Sequence, residues 1–145
     1  MKRINLPLIA ILFILLAACD TSYERSVYDA SITSGDVTIK ITEGTITEDT
    51  ENISFLLINE SENEYFYGID PILEKQDNNE WYTVPLKKDV FWPAIAYLLM
   101  PESEKEETFE IETYYGSLGK GRYRIIKKLF SEGNEIIAAG EFEVD

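Results

Sequence analysis

Leu118-Gly119-Lys120-Gly121-Arg122-Tyr123 decides the fold. Leucine, glycine and tyrosine stand there at the L-x-x-G-x-Y spacing of a tyrosine corner. In that device a tyrosine near the start of a strand turns its phenol back onto a backbone carbonyl where the chain passes between two sheets. Leu118, Gly121 and Tyr123 are therefore structural candidates: Gly121 permits the turn, and the phenol satisfies a carbonyl that burial would otherwise leave without a partner. Tyr123 to Phe130 follows as a strand, then Gly133-Asn134 as a turn, then Ile136 to Val144 as a second strand.

Working outward, period two dominates the chain from Asp36 to its end. Val37, Ile39 and Ile41 alternate with Thr38, Lys40 and Thr42. Phe109, Ile111 and Thr113 alternate with Glu110 and Glu112, and Ile136, Ala138, Phe142 and Val144 with Glu135, Glu141 and Glu143. Each pattern predicts a strand with one buried and one wet face. Ile53 to Ile58 is apolar on both faces apart from Ser54, which suits a central strand. Tyr65 to Lys75 and Trp81 to Leu86 flank Asp77-Asn78-Asn79 and predict a hairpin, with Trp81 a candidate core residue. Ala94 to Met100 is a further strand between Pro93 and Pro101. No stretch shows helical periodicity. The prediction is an all-β, immunoglobulin-like antiparallel β-sandwich of seven or eight strands, after an N-terminal signal helix. The cysteine pair of antibody domains is missing, so the likeness is to their disulfide-free relatives.

Several stretches together resemble a family of bacterial Ig-like domains carried by exported proteins and lipoproteins of Bacillus-type bacteria. They are Ile53-Ser54-Phe55-Leu56-Leu57-Ile58-Asn59-Glu60-Ser61, Tyr65-Phe66-Tyr67-Gly68, Leu73-Glu74-Lys75, Trp81-Tyr82-Thr83-Val84-Pro85, Tyr115-Gly116-Ser117-Leu118 and Gly121-Arg122-Tyr123-Arg124-Ile125-Ile126-Lys127. The resemblance implies a sandwich over residues 36–145 and a cell-surface setting. It implies no activity, because that family brings no defined catalytic residues.

The first residues say where such a domain would work. Lys2 and Arg3 open the chain, Leu6 to Leu16 is an almost unbroken apolar run, and Leu16-Ala17-Ala18-Cys19 closes it with small residues before a cysteine. These are the three regions of a secretory signal. The run is shorter than the about 20 apolar residues that span a bilayer. Its ending resembles a lipobox, whose cysteine becomes the lipid-modified N-terminus. The expected organisation is a lipoprotein signal peptide over 1–18, a polar tether over 19–35 and the sandwich over 36–145. Cys19 would carry the lipid and hold the protein on the extracytoplasmic face of the cell membrane. Two or more acyl chains give stable anchoring where one gives only marginal binding. Tyr23, Val27, Tyr28 and Ile32 leave room for part of the tether to dock as a first strand.

Charge and composition then narrow the chemistry. The 145 residues carry 27 acidic and 13 basic side chains, a net charge of −14. Such a field repels nucleic acid, so no nucleic-acid partner is expected. There is no histidine, which removes Ser-His-Asp and Cys-His hydrolases and His-ligated metals. With Cys19 acylated, no thiol chemistry remains. Phosphate-cradling glycine loops and C-x-x-C pairs are also missing from the sequence. Catalytic residues: none; metal ligands: none; the chain is expected not to be an enzyme. Calcium is the one cofactor to weigh, through loop oxygens of Thr45 to Asn52 or Asp77 to Glu80, and neither segment follows the D-x-D-x-D-G pattern.

Two surfaces remain as candidate contacts. Lys120, Arg122, Arg124, Lys127 and Lys128 form a basic stripe that either grips an anion or faces Glu135, Glu141 and Glu143 across a hairpin; the second is favoured. Val90-Phe91-Trp92-Pro93-Ala94-Ile95-Ala96-Tyr97-Leu98-Leu99-Met100 is the most apolar stretch outside the signal. The plainer expectation has Ile95, Tyr97 and Leu99 lining the core and Phe91 and Trp92 plugging the sandwich end. Left exposed, Phe91 and Trp92 would mark a binding surface. The functional expectation is a membrane-anchored, non-catalytic interaction module for an envelope protein or cell-wall component. The alternative is an accessory or inhibitory subunit that regulates an envelope enzyme or sensor.

Overall fold

The computed structural model describes residues 23–28, 32 and 35–145. Cys19, the signal segment 1–18 and most of the stretch read as a tether lie outside them. The described elements are β1 (Glu24–Arg25), β2 (Val37–Ile41), β3 (Ile53–Asn59), β4 (Tyr65–Gly68), β5 (Ile72–Asp77), β6 (Glu80–Thr83), β7 (Ala96–Leu99), β8 (Ser103–Phe109), α1 (Ile111–Tyr114), β9 (Gly121–Ser131) and β10 (Asn134–Val144). All strand pairs are antiparallel. One sheet runs β1-β6-β5-β9-β4-β7 with β10 on β9; the other is β2-β3-β8. The two sheets form the sandwich that the alternating pattern predicts, with β3 central in the smaller one.

The count differs: ten strands among the described residues, where the sequence predicts seven or eight. Two departures account for it. Glu24–Arg25 pairs with Thr83 and Tyr82 of β6, inside the stretch read as a tether. Tyr65 to Lys75 is not one strand, because Ile69 to Pro71 interrupts it, and Pro71 has no N–H to give a ladder. Its halves, β4 and β5, meet successive stretches of β9.

The expected strand through Phe109, Ile111 and Thr113 is a further correction. β8 starts earlier, at Ser103, and stops at Phe109. The chain then turns through α1, whose Ile111 is buried. Gly116, at φ 83°, ends that turn, its N–H 3.2 Å from both the Ile111 and Glu112 carbonyls.

Inward residues of both sheets share one core: Val37 and Ile39 of β2, Phe55 and Leu57 of β3, Tyr123, Ile125 and Leu129 of β9, Ala138 and Phe142 of β10. Each fully buried aliphatic side chain contributes about 1.5–3 kcal/mol. Tyr123 Oη donates to the Gly119 carbonyl at 2.7 Å, Leu118 is buried, and Gly121 holds φ 142°. Those three residues fix the entry into β9.

The outer face of the larger sheet holds a second buried group. Ile126 and Trp81 are buried there, outside the main core. Arg124 Nε donates to Glu74 Oε2 at 2.7 Å, both side chains are buried, and the guanidinium lies 4.4 Å from the Trp81 ring centre. Arg124 Nη2 donates to Ser26 Oγ at 3.4 Å and the Lys128 ammonium lies 5.9 Å from the Tyr28 ring centre, so the segment after β1 lies over this group.

Gly140 closes the sandwich where β10 passes β2. A Cβ there would stand 2.4 Å from Ile39 Cγ2 and 3.2 Å from the Ile39 backbone oxygen. Gly140→Ala is therefore expected to destabilise the fold by about 1–3 kcal/mol, the cost of overpacking a closed core. Calorimetry should show its melting temperature several degrees below wild type. Gly133→Ala, at a hairpin tip with open space around its Cβ position, separates this steric effect from backbone strain.

Candidate functional site

The Phe91–Trp92 region is built by three anchors on the segment between β6 and β7. The Val84 N–H donates to the Leu73 carbonyl at 2.9 Å and the Lys87 N–H to the Tyr114 carbonyl at 2.9 Å. The Lys87 ammonium donates to the Glu112 carbonyl at 2.5 Å, fastening the segment to the end of α1. Beyond these ties, Asp89 takes a left-handed φ of 64°. The turn carries Trp92 onto Tyr114, where the rings stack with centres 3.7 Å apart and planes at 28°. The short helix thus serves the site, because it presents Tyr114 to Trp92.

Trp92 is half-buried and Phe91 is 85% exposed. Trp92 packs against the edge of the core, as the plainer expectation has it, and Phe91 does not. The strand expected from Ala94 begins only at Ala96, so of the residues expected to line the core Leu99 is buried, Tyr97 half-buried and Ile95, before the strand, exposed. An exposed phenylalanine beside a stacked tryptophan leaves apolar area in water that a partner could cover.

A cavity of about 210 Å³ opens under Trp92, with Phe55, Phe109, Tyr114, Glu107 and Lys127 among its walls. Its volume suits one side chain of a partner better than a whole small molecule, whose pockets run to about 300–1,000 Å³. Lys127 is the unusual wall. It stands at an inward position of β9, 2% exposed, and its ammonium donates to the Gly68 carbonyl at 2.5 Å. That carbonyl stands at the interruption between β4 and β5, so the break in the strand supplies the lysine's partner. The ammonium also lies 5.1 Å from the Tyr67 ring centre. Burial pushes its pKa down from the lysine range to about 8, while Glu107 and Asp70 pull the other way. Tyr67 Oη donates to Glu107 Oε1 at 2.6 Å, and burial with that bond raises the phenol above the usual tyrosine range. Lys105 stands 3.7 Å from the same carboxylate and 4.1 Å from the Tyr97 ring centre. The cavity thus combines aromatic walls with one carboxylate and one ammonium already engaged.

The basic stripe is divided by the structure. Arg122 pairs with Glu141 across the β9–β10 hairpin. Arg124, opposite Glu141 in register, turns to Glu74 instead. Lys127 goes inward, and Lys128 stands 5.9 Å from the Tyr28 ring centre. Arg122, Arg124, Lys127 and Lys128 therefore do not line one groove. Asp77 to Glu80 forms the tight β5–β6 hairpin, with Asn78 and Asn79 at φ 50° and 64°. Among the described residues no group of three or more Asp or Glu side chains is placed to hold a metal ion. Phe91 and Trp92 were legible as an apolar run. Lys127 and Glu107 were not singled out as members of the site, although the phase Tyr123, Ile125, Lys127, Leu129 already aims that lysine inward.

Because Lys127 releases its proton more easily folded than unfolded, the unfolded chain binds more protons between pH about 8 and about 10. Stability should rise with pH across that window. Above it, ionisation of tyrosines held high in the fold reverses the slope. Lys127→Met should flatten the rise, and a melting series of both proteins checks it.

The comparisons with known proteins bear on the fold. The sporulation control protein Spo0M of Bacillus subtilis aligns over 77% of this chain and 49% of its own, at 11% identity and TM-score 0.37. An alkylpurine DNA glycosylase, AlkC of Pseudomonas fluorescens, aligns over 74% and 29%, at 14% identity and TM-score 0.33. A PapD-like domain of human CEP192 aligns over 82% and 90%, at 10% identity and TM-score 0.30. The chain thus spans about half of the first of these proteins and less than a third of the second. No curated protein matches the sequence. The bacterial Ig-like domain model matches residues 33–143, nearly the whole of the described fold, and the chain belongs to that family.

Proposed function

We propose that this chain is a lipid-anchored protein of the extracytoplasmic membrane face whose Ig-like domain is a non-catalytic docking module for another envelope protein. The observation that carries the reading is the exposed Phe91 ring beside the Trp92–Tyr114 stack, over a cavity the size of one side chain. Aromatic anchors of this kind dominate contact energy at protein interfaces. A protein partner is favoured over an anionic wall polymer, because a net charge of −14 repels polyanions. The lipobox-like Leu16-Ala17-Ala18-Cys19 supports the anchor. The tied-up Lys127 and Glu107 support a binding role for the cavity, since each is spent on a neighbour inside the fold.

Two measurements test the two halves. A photoreactive phenylalanine analogue at position 91 of the full-length chain, irradiated in cells, should give one discrete protein adduct. The adduct should fade with Trp92→Ala and be missing when the analogue sits at Asp77, exposed on the β5–β6 hairpin. Equal adducts from both positions, or none from position 91, would overturn the docking reading. Separately, an alkyne-tagged fatty acid fed to the cells should label the wild type and leave Cys19→Ser unlabelled and released from the membrane fraction. Persistent membrane retention of unlabelled Cys19→Ser would instead make the apolar run an uncleaved anchor.

A further inference from the structure

A second surface, separate from the Trp92 cavity, lies on the outer face of the larger sheet. Phe66 of β4 stands opposite Leu98 of β7 on one side and opposite Phe130 of β9 on the other. Cross-strand partners share a face, so the three side chains form one row. They are 50%, 40% and 44% exposed, whereas the neighbours Tyr65 and Tyr67 are turned into the core. β7 ends the sheet, so the row runs to its edge. At the loop end of β4 a cavity of about 350 Å³ adjoins Phe66, and Glu62, Glu64 and Glu132 are among its walls. Apolar row and acidic cavity thus share Phe66 and are continuous.

We propose that this surface docks a basic amphipathic helix of another protein. Adjacent strands lie about 4.8 Å apart, so three side chains in a row across them span about 10 Å. A helix rises about 5.4 Å per turn, so its residues at i, i+3 or i+4, and i+7 match that row. Lysine or arginine on the flank of the same helix then reaches the three carboxylates. Charge decides against the other occupants. A second copy brings another net charge of −14 and the same three carboxylates, and an anionic lipid surface meets the same repulsion. The inference stands apart from the Trp92 reading, since the two surfaces share no residue.

The test uses the full-length chain in zwitterionic nanodiscs and two labelled synthetic helices, one of leucine and lysine, one of leucine and glutamate. Fluorescence anisotropy should show the leucine–lysine helix binding the wild type and the leucine–glutamate helix failing. Phe66→Ser with Phe130→Ser should weaken binding at least about tenfold, or about 1.4 kcal/mol. Glu62→Lys, Glu64→Lys and Glu132→Lys together should reverse the preference between the helices. Trp92→Ala should change neither result, which separates this surface from the first. The serine and lysine variants alter exposed side chains, Trp92→Ala a half-buried one, and the melting temperature of each is checked against wild type. Undiminished binding by the serine variant, or an unchanged preference after charge reversal, overturns the proposal. So does a concentration-dependent dimer lost in the serine variant, which assigns the row to a second copy. Stronger wild-type binding to anionic than to zwitterionic vesicles also overturns it, assigning the row to a lipid surface.

Discussion

The ladder between β9 and β10 joins Gly121–Val144 at one end to Ser131–Asn134 at the other, with every intervening residue paired. A one-residue slip would turn every side chain of one strand to the wrong face. Both ends are pinned against that. At the start, the Tyr123 phenol holds the Gly119 carbonyl, and Gly121 supplies a φ that favours glycine. At the far end, Glu132 and Gly133 both take positive φ, as the tight primed hairpin turn requires. With the register set, Gly140 falls opposite Ile125 and under Ile39, where the missing Cβ lets the smaller sheet close.

The same ladder explains where the charges go. From Tyr123 to Lys127 β9 is covered on both faces, so its alternation there sends residues into two buried environments rather than one. Tyr123, Ile125 and Leu129 enter the core and Lys127 goes with them. Arg124 and Ile126 enter the group under the N-terminal segment. A buried charge must find a partner or lose its charge. Arg124 has Glu74 and the Trp81 face, while Lys127 has the Gly68 carbonyl, released because Ile69 to Pro71 breaks the strand. Replacing such a pair with apolar residues is often neutral for stability, so the pair is better evidence for register than for strength. Glu74 and Arg124 are opposite each other, which ties β5 to β9 at one alignment.

Much of this was legible in the residues. Period two placed most strands, and L-x-x-G-x-Y placed the corner before β9. What escaped has local causes. Ile111 continues the alternation of β8 in sequence, yet Gly116 and a buried Ile111 turn that segment into α1. Tyr65 to Lys75 shows no sequence break stronger than Gly68 and Pro71, and both are tolerated at strand edges. Glu24–Arg25 lies where Tyr23, Val27 and Tyr28 left room for a docked first strand, but with no apolar alternation of its own its partner, the edge of β6, was not legible. The aromatic run was visible as a run, but Phe91 and Trp92 part company because Tyr114 stacks on only one of them. That partner comes from α1, the element the alternation concealed.

The row of Phe66, Leu98 and Phe130 was beyond any one-dimensional reading, since the three lie on strands separated by long stretches of chain. Their adjacency is a product of register alone. The row is also what an unoccupied sheet face should avoid. Edge strands of monomeric domains carry charges or bulges that discourage pairing, and long apolar edges invite association. β7 has neither lysine nor proline within Ala96–Leu99. The carboxylates of Glu62, Glu64 and Glu132 instead gather on one flank of the row, beside its middle member Phe66, and Glu135 stands opposite Phe130 at its inner end. A general defence against aggregation would interrupt the apolar length. Charge along one flank selects the sign and the rotation of whatever lies on the row, which is how an interface achieves specificity.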